Sequence, residues 1–148
     1  MKIFIGSDHN GFQLKTKLME YLARAGYEVE DKGDVKFNPE DDFPEYAVHV
    51  AMAVLGSNDA DARGILVCGS GQGMCIAANR FKGIRASLVW DRQEARLTRN
   101  DNDSNVLCLP ARAIDPKDVN IIVETWLNTA FAAAPRYVRR NQQLDELH

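Results

Sequence analysis

The feature that most constrains this chain is a regular alternation of short apolar runs with longer segments of helical period. We predict strands over residues 2–6, 27–31, 64–68, 85–89 and 105–109. Helices are predicted over residues 11–25, 44–55, 73–80, 93–98 and 116–131, with a last one after Pro135. Such alternation is typical of an α/β domain whose parallel sheet is buried on both faces. We therefore expect a three-layer, doubly wound, five-stranded parallel sheet with a C-terminal helix.

Length and charge exclude several classes of function. A chain of 148 residues, 45% of them hydrophobic, can bury a core as one domain over residues 1–148 without metal or disulfides. Its net charge of -3 argues against nucleic acid or an anionic membrane as the main partner. The sequence has neither a long apolar run nor a signal-peptide pattern at its start. We expect a cytoplasmic protein with no nucleic-acid or membrane partner.

Three cysteines, Cys68, Cys75 and Cys108, occur without a CxxC pair or matching histidine spacing. This pattern predicts free thiols rather than a disulfide framework or a zinc site. Reduced cysteine packs as a small hydrophobe, so two of them are expected in the core. Cys68 differs because a glycine-rich loop follows it.

Ligands of doubly wound (Rossmann-like) sheets usually bind beyond the carboxyl ends of the strands, where the strand order reverses. The glycines at 69, 71 and 73 would let the backbone approach a ligand, and N–H groups at a helix start favour an oxyanion or a phosphate. Cys68 would sit at that positive helix end, where its thiolate is stabilised as a base or nucleophile. The structural alternatives are a tight strand-to-helix turn and an inert packed cysteine. No Walker motif or first-strand GxGxxG supports nucleotide binding.

Several other polar segments have both a functional and a structural interpretation. His9, after the first strand, could donate to a phosphate or sugar oxygen. The carboxylates at 40–42 lie between two prolines and are expected in a solvated loop. Residues 101–105 resemble a calcium loop but lack its glycine and its bidentate glutamate, and are expected at the same sheet edge as Cys68. Arg136 and Arg140, one helical turn apart, could clamp a phosphate or form a solvated basic face.

Six motifs follow one another in unbroken order along the chain. They are SDHNG at 7–11, DFP at 42–44, CGSGQGM at 68–74, AAN at 77–79, GIRA at 83–86 and NDSNVL at 102–107. Together they resemble the ribose-5-phosphate isomerase type B family, which also contains the galactose-6-phosphate isomerase subunits. The resemblance runs from Lys2 to about Arg140.

The resemblance implies an aldose–ketose isomerase of the ribose 5-phosphate/ribulose 5-phosphate type, working through an enediolate with no metal or organic cofactor. It implies a homodimer, often paired into a tetramer, whose active sites are shared between chains. Cys68 would carry the proton between C1 and C2, and Ser70 would help move it between the oxygens. The backbone amides holding the enediolate oxygen would come from Gly69, Gly71, Gln72 and Gly73.

The resemblance also implies positions that bind the rest of the substrate. The phosphate-binding positions correspond to His9, Arg136 and Arg140. Further substrate contacts, some made across the dimer interface, correspond to Asp8, Asn102 and Arg112.

The chain departs from the family pattern at several positions. Asp101 replaces the histidine that opens the furanose ring by proton transfer to the ring oxygen. Phe43 stands in place of a tyrosine, Tyr137 in place of a histidine, and one extra residue precedes Arg136. We therefore expect a changed substrate pocket.

An ionised aspartate cannot donate a proton near neutral pH unless burial raises its pKa. Asp101 is therefore held protonated, or another group such as His9 opens the ring, or the substrate has no ring. A tetrose 4-phosphate cannot form a furanose, so an erythrose/erythrulose 4-phosphate isomerase is the alternative. A noncatalytic phosphosugar-binding subunit is an alternative of another class, and the retained Cys68 and Ser70 argue against it.

Overall fold

The computed structural model describes residues 1–147, and His148 lies outside the described residues. The five strands form one parallel sheet in the order β2-β1-β3-β5-β4. Their bounds are β1 (Lys2–Ser7), β2 (Glu28–Asp31), β3 (Arg63–Cys68), β4 (Ala86–Leu88) and β5 (Val106–Pro110). The predicted doubly wound parallel sheet is confirmed.

Helices cover both faces of the sheet. They are α1 (Phe12–Arg24), α2 (Phe43–Leu55), α3 (Gln72–Ala78), α4 (Arg92–Asn102), α5 (Val119–Asn128) and α6 (Pro135–Asp145), with a 3-10 turn (Pro116–Asp118) before α5. Since helices lie on both of its faces, the sheet is the middle layer of three.

Within residues 1–147, none of these helices combines the length and the apolar content needed to cross a membrane.

Two cores form because alternate strand residues point to opposite faces. On one face, Ile5 and Val67 pack with residues of α1, α4 and α5, including the fully buried Trp126. On the other, Leu66 and Cys108 pack with residues of α2 and α3. The predicted core position of Cys108 is confirmed, since this side chain is fully buried.

The order of the strands creates one crevice at the carboxyl edge of the sheet. The chain leaves β1 towards β2 on one side and later returns to β3 on the other side of β1. The loops that leave β1 and β3 therefore diverge, and the space between them is where doubly wound folds bind ligands. This topology places residues 8–11 beside residues 69–73.

Helix α4 is longer than predicted, and its end overturns one expectation. It begins at the Asp91 cap, whose side chain accepts a hydrogen bond from the Glu94 N–H at 2.8 Å, and includes Asp101. Because α4 runs antiparallel to the strands, it ends at their amino edge, where the Gly64 N–H donates to the Asn105 carbonyl at 2.9 Å. Cys68 is four residues further along β3, or about 13 Å. The expectation that residues 101–105 face the Cys68 edge is therefore wrong within one chain.

Motif residues at this amino edge have structural roles. The Arg85 side chain donates to the Asn102 carbonyl at 2.9 Å and to both Asp145 carboxylate oxygens at 2.9 Å. The Asn79 side chain pairs with both backbone groups of Ala86, at 2.8 and 2.9 Å. The first set of bonds ties α6 to the end of α4, and the second holds the edge strand β4.

Candidate active site

Cys68 is the last residue of β3, and its loop is held against the end of β5. The Ala111 N–H donates to the Cys68 carbonyl at 2.9 Å, and the Arg112 N–H donates to the Gly69 carbonyl at 3.0 Å. A Cβ atom at Gly69 would lie 3.1 Å from the guanidinium carbon of Arg112. The Arg112 side chain therefore lies across the glycine loop at the carboxyl edge.

The turn from β3 into α3 needs glycine at position 71. Gly71 has φ of 72°, in the left-handed region, and a Cβ there would lie 2.5 Å from a methyl of Leu88. The Phe43 ring closes the other side of the loop, since its tip would lie 2.7 Å from a Cβ at Gly73. Phe43, one of the departures from the family pattern, thus lines the site itself.

The Cys68 thiol is less acidic than the sequence suggested. Burial raises its pKa, and the negative charge of Asp8 raises it further. The backbone N–H groups of Met74, Gly71 and Ser70 lower the pKa, as expected of a helix start, but burial outweighs them. Burial therefore works against the thiolate that the loop amides favour, because only 5% of Cys68 is exposed.

Asp8 and His9 lie in the loop after β1. The Asp8 carboxylate is buried and accepts hydrogen bonds from the backbone N–H groups of Asn10 at 3.0 Å and Gly11 at 3.2 Å. Burial raises the pKa of Asp8, while the Gly11 N–H and the nearby His9 oppose that rise. The Arg112 guanidinium donates to the Asn10 side chain at 3.3 Å, which links this loop to the end of β5.

Asp41 belongs to this site, and the expectation of a solvated loop at 40–42 is wrong for it. Its side chain is only 2% exposed, and its Oδ1 lies 2.6 Å from Nδ1 of His9. The bond raises the pKa of His9, with a further contribution from Asp8. No sequence signal separates Asp41 from Glu40 and Asp42, which are exposed.

Asp8, His9 and Asp41 form the only cluster of potential metal ligands found within residues 1–147. One donor atom from each of Asp8, His9 and Asp41 lies within 4.8 Å of the others. The hydrogen bond between His9 and Asp41 already occupies the imidazole nitrogen and carboxylate oxygen that face each other. We therefore interpret the cluster as a hydrogen-bonded pair beside Asp8.

Four of the predicted site residues are not brought to Cys68 within one chain. Asp101 is half-buried and accepts a hydrogen bond from the Asn100 side chain at 2.7 Å. Asn102 lines a cleft of about 600 Å³ that does not include Cys68. Arg136 and Arg140 are exposed on α6, and the Arg136 guanidinium stacks on Tyr137 at 4.5 Å.

With this geometry established, comparison with known proteins identifies the family. The family model described as Ribose/Galactose Isomerase matches residues 3–144. The chain belongs to the ribose/galactose isomerase family. A curated relative, ribose-5-phosphate isomerase B of Escherichia coli K12, is 42% identical over 130 residues, covering 88% of this chain and 85% of that protein.

Solved structures of the same family confirm the fold. The ribose 5-phosphate isomerase of Thermotoga maritima is 46% identical with a TM-score of 0.92, covering 99% of this chain and 98% of that one. Ribose-5-phosphate isomerase B of Mycoplasma genitalium with bound ribulose-5-phosphate is 37% identical with a TM-score of 0.91, covering 97% of this chain and 93% of that one. The predicted family is confirmed, and an isomerase is the class of enzyme expected of its members.

Proposed function

We propose that this protein interconverts an aldose phosphate and its ketose, with ribose 5-phosphate and ribulose 5-phosphate as the leading pair. The observation that carries the proposal is a buried thiol, Cys68, at the strand-order crevice beside a glycine loop. Relatives that include one crystallised with ribulose-5-phosphate support the choice of substrate. A single domain acting in the cytoplasm without a metal or organic cofactor fits this role.

The chemistry requires one base and a stabilised enediolate. The Cys68 thiolate takes the proton from C2 of the aldose and returns it to C1, which leaves the carbonyl at C2. Ser70 assists the accompanying transfer between O1 and O2. The developing negative charge on oxygen would be held by backbone amides of the loop at Gly69, Gly71, Gln72 and Gly73. Burial lowers the fraction of thiolate near neutral pH, and it makes the thiolate that does form a stronger base.

A second copy of the chain completes the proposed site. Asp8, His9 and Arg112 lie at the carboxyl edge with Cys68, whereas Asn102 and α6 lie towards the amino edge. A homodimer that places the amino edge of one chain over the carboxyl edge of the other would unite them. Arg136 and Arg140 of the second copy would then bind the phosphate together with His9.

An apolar surface supports the same proposal. Val48, Met52 and Leu55 are exposed at helical spacing along one face of α2, and Ile76 is exposed on the neighbouring helix α3. Exposed apolar side chains grouped on neighbouring helices commonly mark a protein–protein interface. Sedimentation of the purified protein measures whether two or four copies assemble.

Asp101 favours one second candidate, a tetrose 4-phosphate isomerase. This position carries a carboxyl group where a ring-opening donor is expected, and an erythrose or erythrulose 4-phosphate has no furanose to open. The pocket wall also differs from the family pattern, because Phe43 stands against the glycine loop in place of a tyrosine. Both candidates use the same proton transfer by Cys68.

The decisive experiment is a screen of the purified protein against four-, five- and six-carbon aldose and ketose phosphates. Turnover of ribose 5-phosphate without turnover of erythrose 4-phosphate eliminates the four-carbon candidate. Incorporation of solvent deuterium into the sugar distinguishes an isomerase from a noncatalytic phosphosugar-binding subunit, which exchanges no carbon-bound proton.

The variant Asp101→His tests the ring-opening argument. If the natural substrate is open-chain, this variant keeps its turnover of tetrose phosphate and gains turnover of ribose 5-phosphate. If Asp101 itself opens the ring, the wild type already isomerises the pentose phosphate efficiently and the histidine adds little.

A further inference from the structure

We propose that Asp41 is a positioning residue that keeps the His9 imidazole protonated, so that His9 binds the phosphate of the substrate as a cation. The inference rests on the phosphate-binding role proposed for His9. None of the motifs or comparisons above gives Asp41 a part in the site.

Asp41 and His9 form a close hydrogen-bonded pair. Oδ1 of Asp41 lies 2.6 Å from Nδ1 of His9 and also accepts the His9 backbone N–H at 3.1 Å. A carboxylate oxygen can only accept, so Nδ1 carries a proton in this arrangement. The ring and its backbone are thus anchored on one atom, and Nε2 is the nitrogen left for a ligand.

The protonation state of Nε2 then decides what the ring can bind. In the neutral ring with Nδ1 protonated, Nε2 presents a lone pair, which repels a phosphate oxygen. In the imidazolium, Nε2 carries a proton and makes a charge-assisted hydrogen bond to the same oxygen. Phosphate binding by His9 therefore requires the cation.

The Asp41 carboxylate is buried. Its side chain is 2% exposed, and its Oδ2 has no hydrogen-bond partner among the residues that the structure describes. Burying a carboxylate with an unsatisfied oxygen costs free energy unless a nearby positive charge offsets it. Within hydrogen-bond distance, the His9 ring is the group that can supply this charge. Asp41 and protonated His9 therefore stabilise each other.

Three charged groups face His9. Asp41 comes from the segment before α2, Asp8 from the loop of His9 itself, and Arg112 from the segment after β5. The Asp41 hydrogen bond is the largest cause of the raised pKa of His9; burial of the ring opposes it, Asp8 adds to it, and Arg112 opposes it. A raised pKa keeps the ring protonated to higher pH. Without the Asp41 charge, the cation is lost at lower pH.

The test compares Asp41→Asn with the matched control Glu40→Gln, which neutralises an exposed carboxylate one residue earlier. Sulfate is the probe, because it remains a dianion across the pH range used. At pH 8 we expect sulfate to bind Asp41→Asn about threefold to tenfold more weakly than wild type, because the variant loses one charge-assisted hydrogen bond from His9 to the anion. At pH 5.5, below the ordinary pKa of a histidine, the affinities should agree within about twofold, because protonation of His9 then depends less on Asp41. Glu40→Gln should match the wild type at both pH values.

Nuclear magnetic resonance of the histidine rings provides a readout that a purely structural role would not change. The His9 signals, assigned by their loss in His9→Gln, should titrate at lower pH in Asp41→Asn than in wild type. Identical His9 titrations in the two proteins would overturn the proposal. If Asp41→Asn does not fold, the wild-type titration decides, because a His9 midpoint at or below that of an ordinary histidine contradicts the proposal.

Steady-state kinetics separate this inference from the proposed function. With the sugar phosphate that the wild type turns over, Asp41→Asn should raise KM at pH 8 and change kcat by less than about threefold, because the loss is in phosphate binding. If no sugar phosphate is turned over by the wild type, the proposed function fails. The sulfate and His9 titrations would still decide the role of Asp41.

Discussion

Replacing Gly11 with alanine should destabilise the fold and impair the site through one contact. Gly11 precedes α1 with φ of -101° and ψ of -3°, a conformation that alanine also adopts. A Cβ there would lie 2.2 Å from the Val67 carbonyl oxygen and 2.5 Å from its carbonyl carbon. These atoms belong to β3, which is paired on both sides, so they cannot rotate away. The start of α1 must instead move by roughly 1 Å to restore a normal contact.

The magnitude follows from that displacement. Overpacking of this kind costs about 1 to 3 kcal/mol, and the lower entropy of unfolded alanine offsets about 0.4 to 1 kcal/mol. Because the clash is with main-chain atoms, the upper half of the overpacking range applies, and we expect a net loss of about 1 to 2.6 kcal/mol. This loss lowers Tm by about 2 to 4 °C per kcal/mol in a chain of this size. The shift also displaces the Asp8–His9 loop, and a misplacement of about 1 Å can reduce kcat/KM by about a hundredfold.

The assay is urea denaturation at fixed protein concentration, followed by tryptophan fluorescence, together with kcat/KM. The control is Gly56→Ala, because Gly56 has φ of -88° and its Cβ would approach only the Met52 carbonyl, at 3.1 Å. We expect that control to change stability by less than about 0.5 kcal/mol. A Gly11→Ala protein with wild-type stability and kcat/KM would refute the reasoning.

Three further predictions concern the chemistry. Cys68→Ala should lower kcat by about 10²- to 10⁴-fold while sulfate still binds, because a general base is lost. Near-normal turnover of Cys68→Ala would contradict the assignment of Cys68 as the base. The control variant Cys108→Ala should remain active. Since burial and Asp8 raise the pKa of Cys68, and the thiolate is the base, kcat/KM should keep rising with pH beyond the range where a free cysteine titrates; a plateau below neutral pH would argue against this. Arg140→Ala should chiefly raise KM, by the equivalent of about 2 to 5 kcal/mol if the charge pair is desolvated, and unchanged preference for phosphorylated over unphosphorylated sugars would favour a solvated basic face.

The sequence by itself determined the elements and the position of the loops between them. Strand and helix periods depend on neighbours a few residues apart, so the five strands and the chain order of the helices could be predicted. The glycine spacing after Cys68 indicated a turn with close backbone approach, and the left-handed Gly71 is its local cause. The family motifs added the assignments of His9 and Arg112, which the fold brings to one edge.

Tertiary structure alone decided the features that depend on distant parts of the chain. Asp41 lies 32 residues from His9, and only the fold buries its carboxylate against that ring while leaving Glu40 and Asp42 exposed. The pKa of Cys68 rises because β3 is buried, a property that the local glycine loop does not reveal. The direction of α4 carries Asp101 to the opposite edge of the sheet. Burial and long-range pairing set these properties, and neither is encoded in the spacing of neighbouring residues.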